Sequence, residues 1–250
     1  MTEKHPFIAL WAHPRSMSTA FERIMRERGD CAVLHEPFLN FYYAQRAGRA
    51  LPLHEQDRED MPNDYPGVRD RLLDNANAGP LFFKDMSYYV VPLIFSDPGF
   101  SSRLINVFLI RDPRRSIASY YKLDPGFTLA EVGLEAQWKH FCHLKETGNV
   151  PIVVRAEDIQ ADPRGVLQRV WSHAGLRFLD HAFQWQSGQV PEDWQRVSGW
   201  HGDVLASTGI SAPQDDPQDR FDTAAEKAPH LRDFLSHHEV YYQMLADNVL

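Results

Sequence analysis

Five short apolar runs constrain this 250-residue chain more than any other feature: Phe7–Trp11, Ala32–Leu34, Leu81–Phe83, Leu104–Ile110 and Val150–Val154. Each is continuous rather than alternating, the pattern of strands covered on both faces by helices. Three are followed at once by a helix signal. After the first come Thr19 and Glu22 at capping-box spacing, with Phe21, Ile24 and Met25 as an apolar stripe and Gly29 as a stop. After the fourth comes Asp112-Pro113, an N-cap followed by proline in the first helical position. Asp162-Pro163 repeats the device after the fifth, and Val166, Leu167, Val170 and Trp171 supply a buried face up to Gly175. Alternation of this kind predicts an α/β fold of three layers, a mostly parallel central sheet flanked by helices and joined by right-handed crossovers. Further helices are predicted over about Thr128–Thr147, opened by a second capping box (Thr128, Glu131), and about His230–Asn248. The acidic, proline-containing stretches Glu55–Pro66 and Ala212–Asp222 read as exposed loops.

Composition sets the class. A chain of this length is within reach of one hydrophobic core, so residues 1–250 are expected to form a single domain. At 43% hydrophobic and 24% charged, the chain is neither disordered nor fibrous. No stretch reaches the roughly 18 apolar residues of a membrane span, and the N-terminus lacks a signal-peptide pattern. Two cysteines, Cys31 and Cys142, make no disulfide scaffold. The expectation is a cytoplasmic, reduced protein with no membrane partner. A net charge of −8 argues against nucleic acid as well, whose binding rests on Lys and Arg at the phosphates. A small polyanion is still compatible, because a local cluster can oppose the global sign.

Such a cluster follows the first run. His13-Pro14-Arg15-Ser16-Met17-Ser18-Thr19 leaves a buried strand and enters a helix, where free backbone N–H groups and the helix dipole favour an anion. Arg15 adds a cation, and Ser16, Ser18 and Thr19 add hydroxyl donors, so the segment reads as a cradle for phosphate or sulfate. The Walker pattern is missing, with both its glycines and its lysine. In the fourth unit Arg111 falls at the strand end and Ser119 two turns into the next helix. Both can converge on one phosphate at the carboxyl edge of the sheet. Arg114 and Arg115 fit a solvated helix start.

Three ordered segments resemble the sulfotransferases that use 3′-phosphoadenosine-5′-phosphosulfate (PAPS). Pro14-Arg15-Ser16-Met17-Ser18-Thr19 is similar to the family's 5′-phosphosulfate loop. Arg111 with Ser119, followed by Tyr120-Tyr121, is similar to its 3′-phosphate segment. Val153 to Ile159 with Asp162-Pro163 and Ala174-Gly175-Leu176 resembles a third family run. His35-Glu36-Pro37-Phe38 adds likeness to a small, poorly characterised subgroup. The resemblance implies a P-loop-like fold and sulfuryl transfer from PAPS to a hydroxyl or amine of a small-molecule acceptor. It also implies 3′,5′-adenosine bisphosphate as product and a homodimer as one option for assembly. Arg15, Ser16, Met17, Ser18 and Thr19 would hold the 5′-phosphosulfate, and Arg111 and Ser119 the 3′-phosphate. Lys84, placed just after the third strand, matches a catalytic lysine. Arg15 and Lys84 would balance charge at the sulfuryl group.

The departures from the family define the open questions. Met17 stands where the family has glycine, Ala20 where cytosolic members have an adenine-stacking tryptophan, and Met86 where they have a catalytic histidine. Phe21 or a later aromatic would have to stack on the adenine. Glu36, at the end of the second strand, is the expected base, provided that burial raises its pKa; His35 and Asp85 are rivals. Arg196 and Arg220 are the candidates for a missing C-terminal phosphate-binding segment. Phe178, Phe183, Trp185, Trp194 and Trp200 read as core first and acceptor pocket second. Among the twelve histidines, His140 with His143 and the His237-His238-Glu239 cluster bring no third ligand at a recognisable spacing, so no metal is expected. The other functional readings are a nucleotide-dependent kinase or hydrolase with a degenerate P-loop, and a non-catalytic binder of 3′,5′-adenosine bisphosphate.

Overall fold

The computed structural model of the chain describes residues 5–53, 62–212 and 216–250. Five strands, β1 (Phe7–Ala12), β2 (Ala32–His35), β3 (Leu81–Met86), β4 (Ile105–Ile110) and β5 (Ile152–Arg155), overlap the five apolar runs, with β3 three residues longer and β5 starting two residues later than expected. They form one sheet in the order β2-β3-β1-β4-β5, and every pairing is parallel. The helices on the amino-terminal side are α1 (Ser18–Glu27), α2 (Leu39–Gln45), α3 (Tyr65–Ala78), α4 (Ser87–Val90), α5 (Pro98–Ser101) and α6 (Pro113–Leu123). Those that follow are α7 (Leu134–Glu146), α8 (Ala156–Ala161), α9 (Pro163–His173), α10 (Gly202–Leu205), α11 (Pro217–Lys227) and α12 (Leu231–Ala246). None among the described residues is long and apolar enough to cross a membrane.

Continuous apolar strands are explained by a core on each side of the sheet. Along β1, Phe7, Ala9 and Trp11 pack into one core with α3, α7, α11 and α12, while Ile8 and Leu10 pack into the other with α1 and α9. Period-two alternation thus serves two apolar faces rather than one. Asp112 and Asp162 cap as the sequence predicts, accepting from Arg114 N (2.9 Å) and Gly165 N (2.8 Å).

Several local expectations are corrected. Thr19 is not an N-cap: α1 starts behind Met17, with no side-chain cap, and Glu22 turns into the interior. The Thr128–Glu131 box does form, Glu131 Oε2 accepting from Thr128 N (2.8 Å) and Oγ1 (2.9 Å). It opens only a 3₁₀ turn, because Gly133 at φ 87° breaks the predicted helix before α7. Pro217–Asp222, expected as loop, belongs to α11, with Asp216 accepting from Gln218 N at 2.7 Å. In the other acidic stretch Tyr65 and Pro66 begin α3, while residues 55–61 lie outside the described residues. Arg115 is buried rather than solvated.

Candidate functional site

The segment between β1 and α1 turns twice through left-handed backbone, at Arg15 (φ 62°) and Met17 (φ 73°). Met17 therefore adopts the conformation for which glycine is the usual residue. Two bonds from the end of β4 hold the turn: Arg111 N donates to His13 Nε2 at 3.1 Å, and Arg111 Nη1 to the Arg15 carbonyl at 2.9 Å. Burial pushes the His13 imidazole down to about 3, which keeps Nε2 free to accept. No side chain caps α1, so the N–H groups of its first residues, directly after the loop, are left without a side-chain partner. Ser16 Oγ and Arg111 Nε are buried without a hydrogen-bond partner in the protein. Orphaned donors beside an uncapped helix start suit a polyanion such as a phosphosulfate.

Lys84 is not beyond the third strand but inside β3, with a side chain 1% exposed. It meets Glu36, whose φ of 40° swings the side chain over the carboxyl edge of the sheet just after β2. Lys84 Nζ donates to Glu36 Oε1 at 2.5 Å, and Tyr89 Oη lies 3.5 Å from Oε2. Burial pushes the Glu36 carboxyl up, but the Lys84 ammonium outweighs it and holds the group below its ordinary value. The condition expected of a base, a pKa raised by burial, is thus reversed by the neighbouring cation. Asp85 faces away, accepting from Phe38 N (2.8 Å) and Met86 N (3.0 Å), and burial lifts its carboxyl well above the ordinary range. It ties the Glu36 turn to β3. His35 points toward Glu22, with Nδ1 2.7 Å from Oε2.

Arg15 links the two phosphate segments. Its Nε donates to Ser119 Oγ (2.9 Å), Nη1 to the Trp200 carbonyl (2.6 Å) and Nη2 to Asp203 (2.9 Å). The guanidinium therefore stands at the Arg111–Ser119 end and makes no bond to Lys84 or Glu36. Arg111 is pulled down to about 10 by burial first, against Glu157, with Arg115, Arg15 and Arg220 adding repulsion. Arg15 is lowered likewise, by burial against Asp203, with Arg220 adding repulsion. A group of cations that destabilise one another is the electrostatic sign of an anion site. Arg220 joins it from α11, whereas Arg196 lines a separate cavity beside β2.

A cavity of about 260 Å³ connects these parts: Arg15, Met17, Ser18, Thr19, Glu36, Lys84 and Arg111 all line it. The opposite wall is aromatic, with Tyr43, Tyr88, Tyr89, Tyr120 and Trp200. Of the five aromatics read as core first and acceptor pocket second, only Trp200 lines it. Phe178 and Phe183 pack with Trp171, Trp185 lies in that same core, and Trp194 is wholly buried. Phe21 is unavailable for stacking on a base, since it lies flat on Phe82 in the core, 5.9 Å between centroids. Sequence reasoning missed the Tyr88-Tyr89 pair two residues past Lys84-Asp85-Met86, although a polar aromatic doublet at a strand end was a usable signal. It also missed His201, which nothing local marks. Among the described residues, no three His, Cys, Asp or Glu are grouped to hold a metal.

Known proteins resemble this chain in two ways. The family described as "Sulfotransferase domain" matches residues 7–231. Branched-chain-amino-acid aminotransferase-like proteins 2 and 1 of Arabidopsis thaliana are 27% and 28% identical over 212 and 210 residues, which is 84% and 83% of this chain. The chain spans 37% of the length of each. Among solved structures, the sulfotransferase domain of the Synechococcus PCC 7002 olefin synthase is 19% identical with a TM-score of 0.53, covering 91% of this chain and 96% of that one. The sulfotransferase domain from the curacin biosynthetic pathway is 14% identical with a TM-score of 0.51, covering 90% and 98%. At these identities the structures bear on the fold alone.

Proposed function

The chain belongs to the sulfotransferase domain family, and from that premise we propose that it moves a sulfuryl group from PAPS to a hydroxyl or amine of a small-molecule acceptor. One observation carries the reading. Arg15 and Arg111, which repel one another and are repelled by Arg220, line the cavity that also holds the Lys84–Glu36 pair, and Arg111 Nε and the loop's own Ser16 Oγ are buried without a partner in the protein.

PAPS supplies a sulfur whose bond to the 5′-phosphate oxygen breaks as the acceptor's oxygen or nitrogen bonds to it. Loop N–H groups with Ser16, Ser18 and Thr19 hold the 5′-phosphosulfate. Arg111, Arg15 and Ser119, joined by Arg220, hold the 3′-phosphate. Arg15 moves in this assignment from the sulfuryl group to the nucleotide end, because its guanidinium already bonds Ser119. Lys84 neutralises charge on the departing phosphate. When Lys84 turns to that anion it leaves Glu36, and the burial that the ammonium had outweighed then raises the carboxylate's basicity. Glu36 so released accepts the acceptor's proton. The tyrosine wall excludes water and flanks the acceptor. Positioning and electrostatics provide the catalysis, as in phosphoryl transfer.

Thermal-shift titration tests the reading. Stabilisation by 3′,5′-adenosine bisphosphate should grow as RT ln(1 + [L]/Kd). Equal or larger stabilisation by ATP with Mg²⁺ would favour a kinase or hydrolase, and no response to the bisphosphate would remove PAPS. A search for products from labelled PAPS identifies the acceptor; binding without any product would leave a non-catalytic binder.

A further inference from the structure

A buried chain of hydrogen bonds runs from α1 through β2 to the cradle. Glu22, fully buried, accepts at Oε1 from Arg26 Nε (2.9 Å) and Nη2 (2.6 Å) and from Trp194 Nε1 (2.7 Å). Its Oε2 faces His35 Nδ1 at 2.7 Å; His35 Nε2 faces His201 Nε2 at 3.2 Å; and His201 Nδ1 faces Thr19 Oγ1 at 3.3 Å. His201 lines the cavity beside Thr19. The proton positions along this chain are determined from one end. Arg26 and Trp194 can only donate, so Glu22 accepts throughout and His35 carries its hydrogen on Nδ1. His35 Nε2 is then a lone pair, His201 must donate to it from Nε2, and His201 Nδ1 is a lone pair in turn. Thr19 therefore donates its only hydroxyl hydrogen to His201, away from any anion in the loop. Both imidazoles are neutral in this arrangement. Burial and then the Lys84 charge lower His35 to about 3, and burial and the Lys84 charge lower His201 too. The charged groups facing the pair are Glu22 and Arg26 from α1, Arg15 from the loop, Glu36 after β2, Lys84 from β3 and Asp193 from the 3₁₀ segment before His201.

From this geometry we infer that anion binding in the cradle takes up one proton from solvent at His201 Nδ1, reversing the Thr19 hydrogen bond. His201 then donates from Nδ1 to Thr19 Oγ1 and from Nε2 to His35, and Thr19 turns its hydrogen to the anion. The pair goes from neutral to one positive charge, and release of the anion returns the proton. His201 and Thr19 act at the ligand; Glu22 and His35 are positioning residues that set the direction of the chain. The inference rests on the proposed donor site, since it needs an anionic oxygen at Thr19.

Calorimetric titration with 3′,5′-adenosine bisphosphate at pH 7, in Pipes and in Tris, reads the linked proton directly. Wild type and Thr19→Ser should take up protons, at most one per nucleotide, and wild-type Kd should rise with pH above neutrality by no more than about tenfold per unit. His201→Asn places a fixed amide donor where Nδ1 stood, and Thr19→Val removes the hydroxyl. Both should bind without proton uptake, showing at most the release that the nucleotide's own phosphates give, and should lose the rise of Kd with pH. The nucleotide's own phosphates would release protons on binding, the opposite sign. Binding with equal heats in both buffers overturns the relay and leaves the donor site standing, as does undiminished uptake in either variant. No binding at all overturns the donor reading and the relay with it.

Discussion

Replacing Arg111 by alanine separates two roles that the structure gives one side chain. Its Nη1 holds the Arg15 carbonyl at 2.9 Å, which shapes the cradle for any 5′-phosphate. Its Nε, buried and without a partner, is the group available to a 3′-phosphate. The first is a charge-assisted bond to a neutral carbonyl, and its loss should weaken every nucleotide alike. The second is a bond between charged groups, worth about 1.5–3 kcal/mol, and only ligands with a 3′-phosphate should feel it. Arg111→Ala should thus raise the Kd of 3′,5′-adenosine bisphosphate by about 10–150-fold more than that of 5′-AMP. Calorimetric Kd values for both nucleotides, wild type against variant, give that ratio of ratios. Unliganded stability is checked by urea unfolding, because the His13 contact comes from the Arg111 backbone N–H and survives the substitution. An equal loss for the two nucleotides would refute the reasoning: Arg111 would then act through the Arg15 carbonyl alone.

Three further outcomes follow from the same geometry. Glu36→Gln should cut turnover of labelled PAPS by roughly 10²–10⁴ while leaving bisphosphate affinity within a few-fold, and retention of more than a tenth of activity removes Glu36 as base. Because the Glu36 pKa is lowered in the fold, its pair with Lys84 stabilises fully above the ordinary value of 4.5 and is lost as pH falls through the lower, folded one. The substitution should therefore flatten the acid limb of a stability-against-pH curve. Five buried histidines, His13, His35, His140, His201 and His238, are pushed down by burial, so the unfolded chain binds protons that the folded one refuses. Below pH 6.5 each should cost up to about 1.4 kcal/mol per pH unit, and urea midpoints should drop steeply between pH 6.5 and 5; a flat profile there contradicts their neutrality. At Met17, φ 73° favours glycine sterically, but glycine gives up side-chain packing and adds unfolded-state entropy. Met17→Gly should change stability by less than about 1 kcal/mol, whereas Met17→Val should lose about 1–2 kcal/mol, as strain at a left-handed position requires.

Legibility in the sequence tracked the range of the interaction. Runs such as Phe7–Trp11 and Leu104–Ile110 announce buried parallel strands because burial on both faces demands unbroken apolar residues. Asp112-Pro113 and Asp162-Pro163 announce helix starts because the cap lies within three residues of the N–H that it satisfies. The cradle was legible for the same reason, a strand, a polar turn and a helix in sequence. Local signals failed where a partner elsewhere claimed a side chain or where one glycine broke the period. The capping spacing of Thr19 and Glu22 is real, but Glu22 is claimed by Arg26, Trp194 and His35, so the helix begins without it. Gly133 broke a helix that periodicity alone carried through.

The amino-acid sequence by itself determined the layered α/β architecture, the anion-binding turn and the strand ends from which Arg111 and Glu36 project. These depend on hydrophobic period and on caps a few residues away. Only the tertiary structure decided which side chains meet. The order β2-β3-β1-β4-β5 sets Glu36 on Lys84, 48 residues on, and Arg15 on Ser119, 104 residues on. It also brings His201 to His35 across 166 residues, and Arg220 from a predicted loop to the phosphate end. A carboxylate's pKa, a histidine's tautomer and the direction of a hydroxyl hydrogen follow from those meetings, because charge and hydrogen bonding act through space and have no period along the chain.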